Sequence, residues 1–178
     1  MHDWVHELAS RRFPKGSRSQ GGQDGILAEI FRHVPTTNDP PFCVEFGFDA
    51  AVLDGGTGAN VATLVLDRGW RALLLDGAHE NPAINLRREF LTSSNIVGVF
   101  AKWNVPARPD YVSIDVDSTD LWLFRALLPH YRAARATCRP HLRADAWPFW
   151  LTRTWKRFRA CVGGWRAPQD QLRRQGDA

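Results

Sequence analysis

Apolar residues follow two rhythms along the first 128 positions. Ile26, Leu27, Ile30, Phe31 and Val34 recur at helical spacing after the polar lead-in Ser19-Gln20-Gly21-Gly22-Gln23-Asp24-Gly25, and Pro35 closes that helix. A loop over 36–41 leads to Phe42-Cys43-Val44-Glu45-Phe46-Gly47-Phe48, a short apolar run that reads as a buried strand with one acid near its end. The glycine-rich stretch 54–60 precedes a helix carrying Val61, Leu64, Val65 and Leu66, which Arg68-Gly69 stops. Arg71 to Gly77 is a second buried strand ending in Asp76. The pattern then predicts a helix over 80–88 with Pro82 in its first turn, and a short third strand at Phe90-Leu91-Thr92. Next come a helix capped by Ser94 through Ile96, Val97, Val99 and Phe100, a break at 106–109, and a strand from Tyr111 to Asp117. A helix over about 120–128 completes the series.

Strands alternating with helices predict an α/β domain, with a mostly parallel sheet covered by helices on both faces. Four strands are legible and none follows residue 130, so the sheet is expected to be incomplete in its C-terminal half. The domains are then a lead-in at 1–16, the α/β domain at 17–130 and a tail at 131–178. Half a sheet leaves an apolar edge, which predicts a homo-oligomer.

The charge divides at the same place. Residues 1–128 carry 12 Lys+Arg and 16 Asp+Glu, whereas 129–178 carry 11 and 3. Trp147, Trp150, Trp155 and Trp165 lie among these cations. Such a tail suits nucleic acid or an anionic membrane surface. It also fits a divergent end that packs on the sheet, or an altered C-terminus without an evolved fold. Three cysteines are too few for a disulfide scaffold, no apolar run is long enough to span a bilayer, and no signal peptide is evident. A cytoplasmic location is the default expectation.

Ligands of parallel sheets bind at the carboxyl ends of the strands, where this chain places Glu45, Asp76, Asp115 and Asp117. An acid at the end of the second strand suits the two hydroxyls of a ribose. The phosphate fingerprint G-x-G-x-x-G is absent after the first strand, which favours S-adenosyl-L-methionine over NAD. Plainer roles stand beside these. Glu45 can cap a helix or pair with an arginine, and Asp76 can close an Asp-Gly turn. Asp115 and Asp117 alternate along a strand and share a face, so they can chelate a divalent ion, or Asp115 alone can face the pocket. The histidines have no ligand spacing and Cys43 reads as a buried apolar residue, so a resident metal is not favoured.

Four ordered segments carry a resemblance: Ser19-Gln20-x-x-Gln23-Asp24-Gly25, Val44-Glu45-Phe46-Gly47, Gly69-Trp70-Arg71-x-Leu73-Leu74-Leu75-Asp76-Gly77, and Tyr111 to Asp117. Over roughly 17–130 the chain resembles the FkbM-like methyltransferases, which are Rossmann-like class I enzymes that use S-adenosyl-L-methionine. The resemblance implies O-methylation of a hydroxyl on a small molecule or sugar. It puts Glu45 and Gly47 beside the methionine part of the cofactor, Asp76-Gly77 at the ribose and Thr92 to Asn95 by the adenine. Asp115 and Asp117 are then the catalytic candidates, orienting or deprotonating the acceptor hydroxyl. The competing expectation is a catalytically inactive or truncated Rossmann-like binding module with a basic tail.

Overall fold

The computed structural model describes residues 13, 18–19, 22–48, 50–53, 59–116, 119–133, 135–138 and 149–152. The elements in chain order are α1 (Gln23–His33), β1 (Phe42–Phe46), α2 (Ala62–Leu66), β2 (Arg71–Asp76) and a 3-10 turn (Pro82–Ile84). They continue with β3 (Leu86–Arg88), α3 (Ile96–Lys102), β4 (Tyr111–Ile114), α4 (Asp120–Leu127), β5 (Arg135–Cys138) and β6 (Phe149–Thr152). The sheet order is β3-β2-β1-β4-β5-β6, with β1 to β5 parallel and β6 antiparallel. This is an α/β fold consistent with the Rossmann-like class.

Strand parity explains the two-sided core. Phe42, Val44 and Phe46 alternate with Cys43 and Glu45, and every position of β1 is buried. The first set joins Leu73, Leu75, Val112 and Ile114 under Ile96, Val99 and Phe100 of α3 and Leu123, Phe124 and Leu127 of α4. The opposite face carries Cys43, Leu74, Leu86 and Tyr111 against Leu27 of α1 and Ala62 and Leu64 of α2. Both faces of β1 are therefore dry, which is why the strand reads as an unbroken apolar run. The lead-in to α1 is locked locally. Asp24 accepts the Arg18 and Ser19 N–H groups, while the Ser19 hydroxyl accepts the Asp24 N–H.

Four expectations need correction. The segment 80–88 is not a helix. The Asn81 side chain accepts the Ala83 N–H, the 3-10 turn follows, and Asn85 turns the chain in the left-handed region at φ 55°. Leu86–Arg88 then pairs parallel with β2, so the third strand lies there and not at Phe90-Leu91-Thr92. Asn95 rather than Ser94 is the N-cap of α3. The sheet also continues past residue 130. Tyr111 pairs with Arg135, and Ala136 pairs with Leu151 of β6. The sheet therefore has six strands, not four, and 131–178 contributes two of them.

Candidate functional site at the carboxyl ends of the strands

After β1 the chain passes to α2 on one face, and after β4 to α4 on the other. The strands adjacent at this reversal are β1 and β4, and the carboxyl ends of such strands are where open parallel sheets bind their ligands. The two backbones cross closely there. Gly47, just past β1, has φ +71°, and a Cβ on it would lie 1.7 Å from the Asp115 carbonyl oxygen. The Gly47 N–H donates to the Leu75 carbonyl, and the Asp115 N–H to the Phe46 carbonyl. The role of Gly47 in this structure is thus to let three strand ends meet.

Glu45 and Ser113 are register partners, and Glu45, Asp76 and Ser113 share the α1/α2 face by parity. Glu45 is buried. Its carboxylate accepts the N–H groups of Asn60 (2.8 Å) and Val61 (3.0 Å) at the start of α2. The Asn60 amide donates in turn to the Ser113 hydroxyl at 3.2 Å. Glu45 therefore caps a helix, one of the plainer roles open to it from the sequence. Burial is the largest influence on its acidity and pushes the carboxyl up. The two N–H groups pull it back, the negative charge of Asp115 pushes it up again, and the result is about 7.

This shift has a definite sign. In the unfolded chain Glu45 loses its proton near 4.5, while in the folded protein it keeps it to about 7. Its contribution to stability is full below the lower value and is lost as pH rises through this window. At about 1.4 kcal/mol per unit, the loss is on the order of 3 kcal/mol. Urea unfolding midpoints should fall from pH 5 to pH 8, and Glu45→Gln should flatten that fall. An equally steep fall in the variant would assign the dependence to other groups.

Asp76 ends β2 nearly buried. Its Oδ1 accepts the N–H groups of Ala78 and His79, both at 2.7 Å, and lies 3.0 Å from Nδ1 of His79. The Asp-Gly turn expected as a plainer role is thus present, and it fixes the orientation of the carboxylate. Gly77 is exposed beside it, and a Cβ there would meet only the Phe90 ring, at 3.7 Å. Thr92 and Asn95 cap each other. The Thr92 N–H donates to the Asn95 side-chain oxygen at 2.8 Å, and the Asn95 N–H to the Thr92 hydroxyl at 3.2 Å. The Asn95 amide also donates to the Phe90 carbonyl at 2.8 Å.

Asp115 stands just past the end of β4, half-buried. Because β4 ends at Ile114, the expectation that Asp115 and Asp117 alternate along one strand does not hold at Asp115. Asp117 lies outside the described residues, as does the glycine-rich stretch 54–58. Among the described residues no group of three or more His, Cys, Asp and Glu side chains could hold a metal ion. No described helix is long and apolar enough to cross a membrane.

Compared with known proteins, the chain matches no protein-family model, no curated sequence and no solved structure. Its chemistry is therefore read from its own residues. The structure brings Glu45, Gly47 and Asp115 together at the carboxyl ends of β1 and β4, with Asp76 ending the next strand and Gly77 just past it. Thr92 and Asn95 belong to the loop beyond β3. Two participants escaped the sequence reading, Asn60 and Ser113, which extend the hydrogen bonds from Glu45. His79, whose place after Asp76-Gly77 in the sequence lets it either line a pocket or sit on a surface loop, pairs with Asp76. A serine inside a buried run beside a strand that carries an acid was the available signal for Ser113.

Proposed function

We propose that the chain is a Rossmann-like, S-adenosyl-L-methionine-binding domain of methyltransferase type that methylates a hydroxyl on a small molecule or sugar. The observation that carries this reading is Asp76 at the carboxyl end of β2, one strand from the β1/β4 reversal, with an oriented carboxylate and a glycine after it. The residues fit the cofactor. A carboxylate there can accept from ribose hydroxyls, and the bare Gly77 lets the ligand approach the backbone. The bound cofactor supplies an electrophilic methyl group. Glu45 acts on the scaffold, holding α2 at the strand ends rather than touching the ligand. Asp115 is the described residue suited to accept a hydrogen bond, and then the proton, from the acceptor hydroxyl. Catalysis on this reading is chiefly positioning.

A second reading is favoured by a separate observation. Glu45, Thr92 and Asn95 all spend hydrogen bonds on their own chain, and Asp76 does so at Oδ1. A catalytically inactive binding module would keep the same contacts. The two separate in paired experiments, calorimetric titration with S-adenosylhomocysteine and transfer of a labelled methyl group to a panel of hydroxylated acceptors. Binding with transfer supports the enzyme. Binding with no transfer to any acceptor supports a module that keeps the cofactor, and a folded chain that binds no cofactor removes the enzyme and leaves an interaction module.

A further inference from the structure

β3 is the edge strand of the sheet, and an aromatic side chain stands exposed just beyond it. Phe90 is 80% accessible, the most exposed of the large apolar residues described. Single exposed apolar residues are ordinary, but the segment carrying this one is held on both sides. The Glu89 N–H donates to the Asp76 carbonyl at 2.8 Å, and the Phe90 carbonyl accepts from the Asn95 amide. The ring is therefore presented to solvent from a fastened backbone.

Cations flank it on both faces of the edge. Arg88 pairs in register with Asp76, and its guanidinium makes no hydrogen bond or ion pair among the described residues. Arg87 points to the other face by parity. Its guanidinium lies 4.5 Å from the centroid of the Trp103 ring, and its Nε donates to the Asn85 side-chain oxygen, so it has no carboxylate partner among the described residues. The neighbouring acid, Glu89, is occupied by Lys102 at 2.6 Å and by the Trp103 indole N–H at 2.8 Å. The edge thus offers two guanidinium groups without a carboxylate partner among the described residues, close in sequence to one exposed ring.

We propose that this β3 edge binds single-stranded polynucleotide, with a base stacked on Phe90 and backbone phosphates on Arg88 and Arg87. Stacking on an aromatic ring combined with cations along the backbone path is the physical basis of sequence-tolerant single-strand binding. Charge complementarity is local to this edge: Arg87 and Arg88 have no carboxylate partner among the described residues and Glu89 is neutralised by Lys102, although residues 1–128 as a whole carry four more acids than bases. A polymer fits better than a free nucleotide, because Arg87 and Arg88 lie on opposite faces of an open edge by parity. This edge borders the proposed cofactor site, since the Phe90 ring lies against Gly77 and Arg88 pairs in register with Asp76, and the two readings are told apart by their ligands, the oligomer here and S-adenosylhomocysteine there.

The test is fluorescence anisotropy of labelled twelve-residue oligouridylate and oligothymidylate with the full chain over a range of salt concentrations. Phe90→Ala is expected to weaken binding about tenfold, and Phe90→Trp to restore it. Arg88→Gln is expected to weaken binding and to flatten the salt dependence by about one phosphate. Both positions are exposed or unpartnered, so thermal midpoints should stay at the wild-type value. Unchanged affinity in Phe90→Ala and Arg88→Gln would overturn the proposal and assign any binding to the basic residues after 129. So would wild-type binding of uridine monophosphate as tight as the oligomer, or binding to phosphatidylserine vesicles without binding to either oligomer.

Discussion

Gly47→Ala is expected to abolish the native fold. The added Cβ would lie 1.7 Å from the Asp115 carbonyl oxygen, a backbone atom that no rotamer change can move. Gly47 also sits at φ +71°, where an alanine is strained in its own right. Relief would require β1 and β4 to separate at their carboxyl ends, breaking the Gly47 to Leu75 and Asp115 to Phe46 hydrogen bonds. Overpacking against fixed backbone at a strained φ belongs among the few mechanisms that cost more than about 4 kcal/mol. Gly69 is the control. Its φ is +68°, yet nothing lies within 4 Å of the position of its Cβ. Gly69→Ala should therefore cost only conformational strain, about 1 kcal/mol. Near-ultraviolet circular dichroism and urea titration of the two variants separate the effects. A cooperative unfolding transition for Gly47→Ala as strong as that of Gly69→Ala would show that the strand ends do not cross as described.

The second large effect is expected at the opposite end of the sheet. Asp110 precedes β4 and is fully buried, and four donors converge on it. They are the Thr37 N–H and hydroxyl, the Asn38 amide at 2.7 Å and the Phe42 N–H at 2.9 Å. One carboxylate thus ties the loop after α1 and the starts of β1 and β4 together. Asp110→Ala would leave several of these donors buried and unpaired, at a cost of roughly 3–5 kcal/mol. Burial, the largest influence on this group, would raise its pKa. The N–H groups of Thr37 and Phe42 and the side chains of Asn38 and Thr37 outweigh it, and the carboxyl ends below its ordinary 3.8. Its stabilisation is present above that value and is lost as pH falls through the folded-state pKa. The acid limb of the stability profile should shrink in the variant, while the decline toward pH 8 assigned to Glu45 remains. An unchanged acid limb would contradict the clamp.

The elements legible in the sequence are those whose physics is local or whose apolar run is complete. β1, β2 and β4 are buried on both faces, so their composition announces them, and α1 shows a clean helical stripe. The failures have physical causes. Pro82 suggested a helix start, but Asn85 in the left-handed region ends the turn after three residues. Leu86-Arg87-Arg88 is too short to show a period, and pairing with β2 alone makes it a strand. Arg135–Cys138 has no apolar run at all. Its strand character comes from the ladder with Tyr111 to Ile114, a contact between distant segments.

At the candidate site the residue types were legible, and for Glu45 and Asp76 the observed use was one of the alternatives the sequence left open. Acids at the ends of β1 and β2 can be read from the sequence. That Glu45 would serve the start of α2, and that Asp76 would bind its own turn at Oδ1, depends on how the loops close. Thr92 and Asn95 likewise carry the right polarity for a ligand and spend it on each other.

The central claim, a nucleoside site at the end of β2, is tested most directly by calorimetric titration of the folded chain with S-adenosylhomocysteine beside Asp76→Asn. The conservative variant keeps an acceptor for the turn and removes the charge. The account predicts saturable binding to the wild type, weakened at least tenfold in Asp76→Asn, as expected when a hydrogen bond to a charged group is lost. Equal affinity in the two proteins, or no heat from a wild type whose circular dichroism shows it folded, would contradict it.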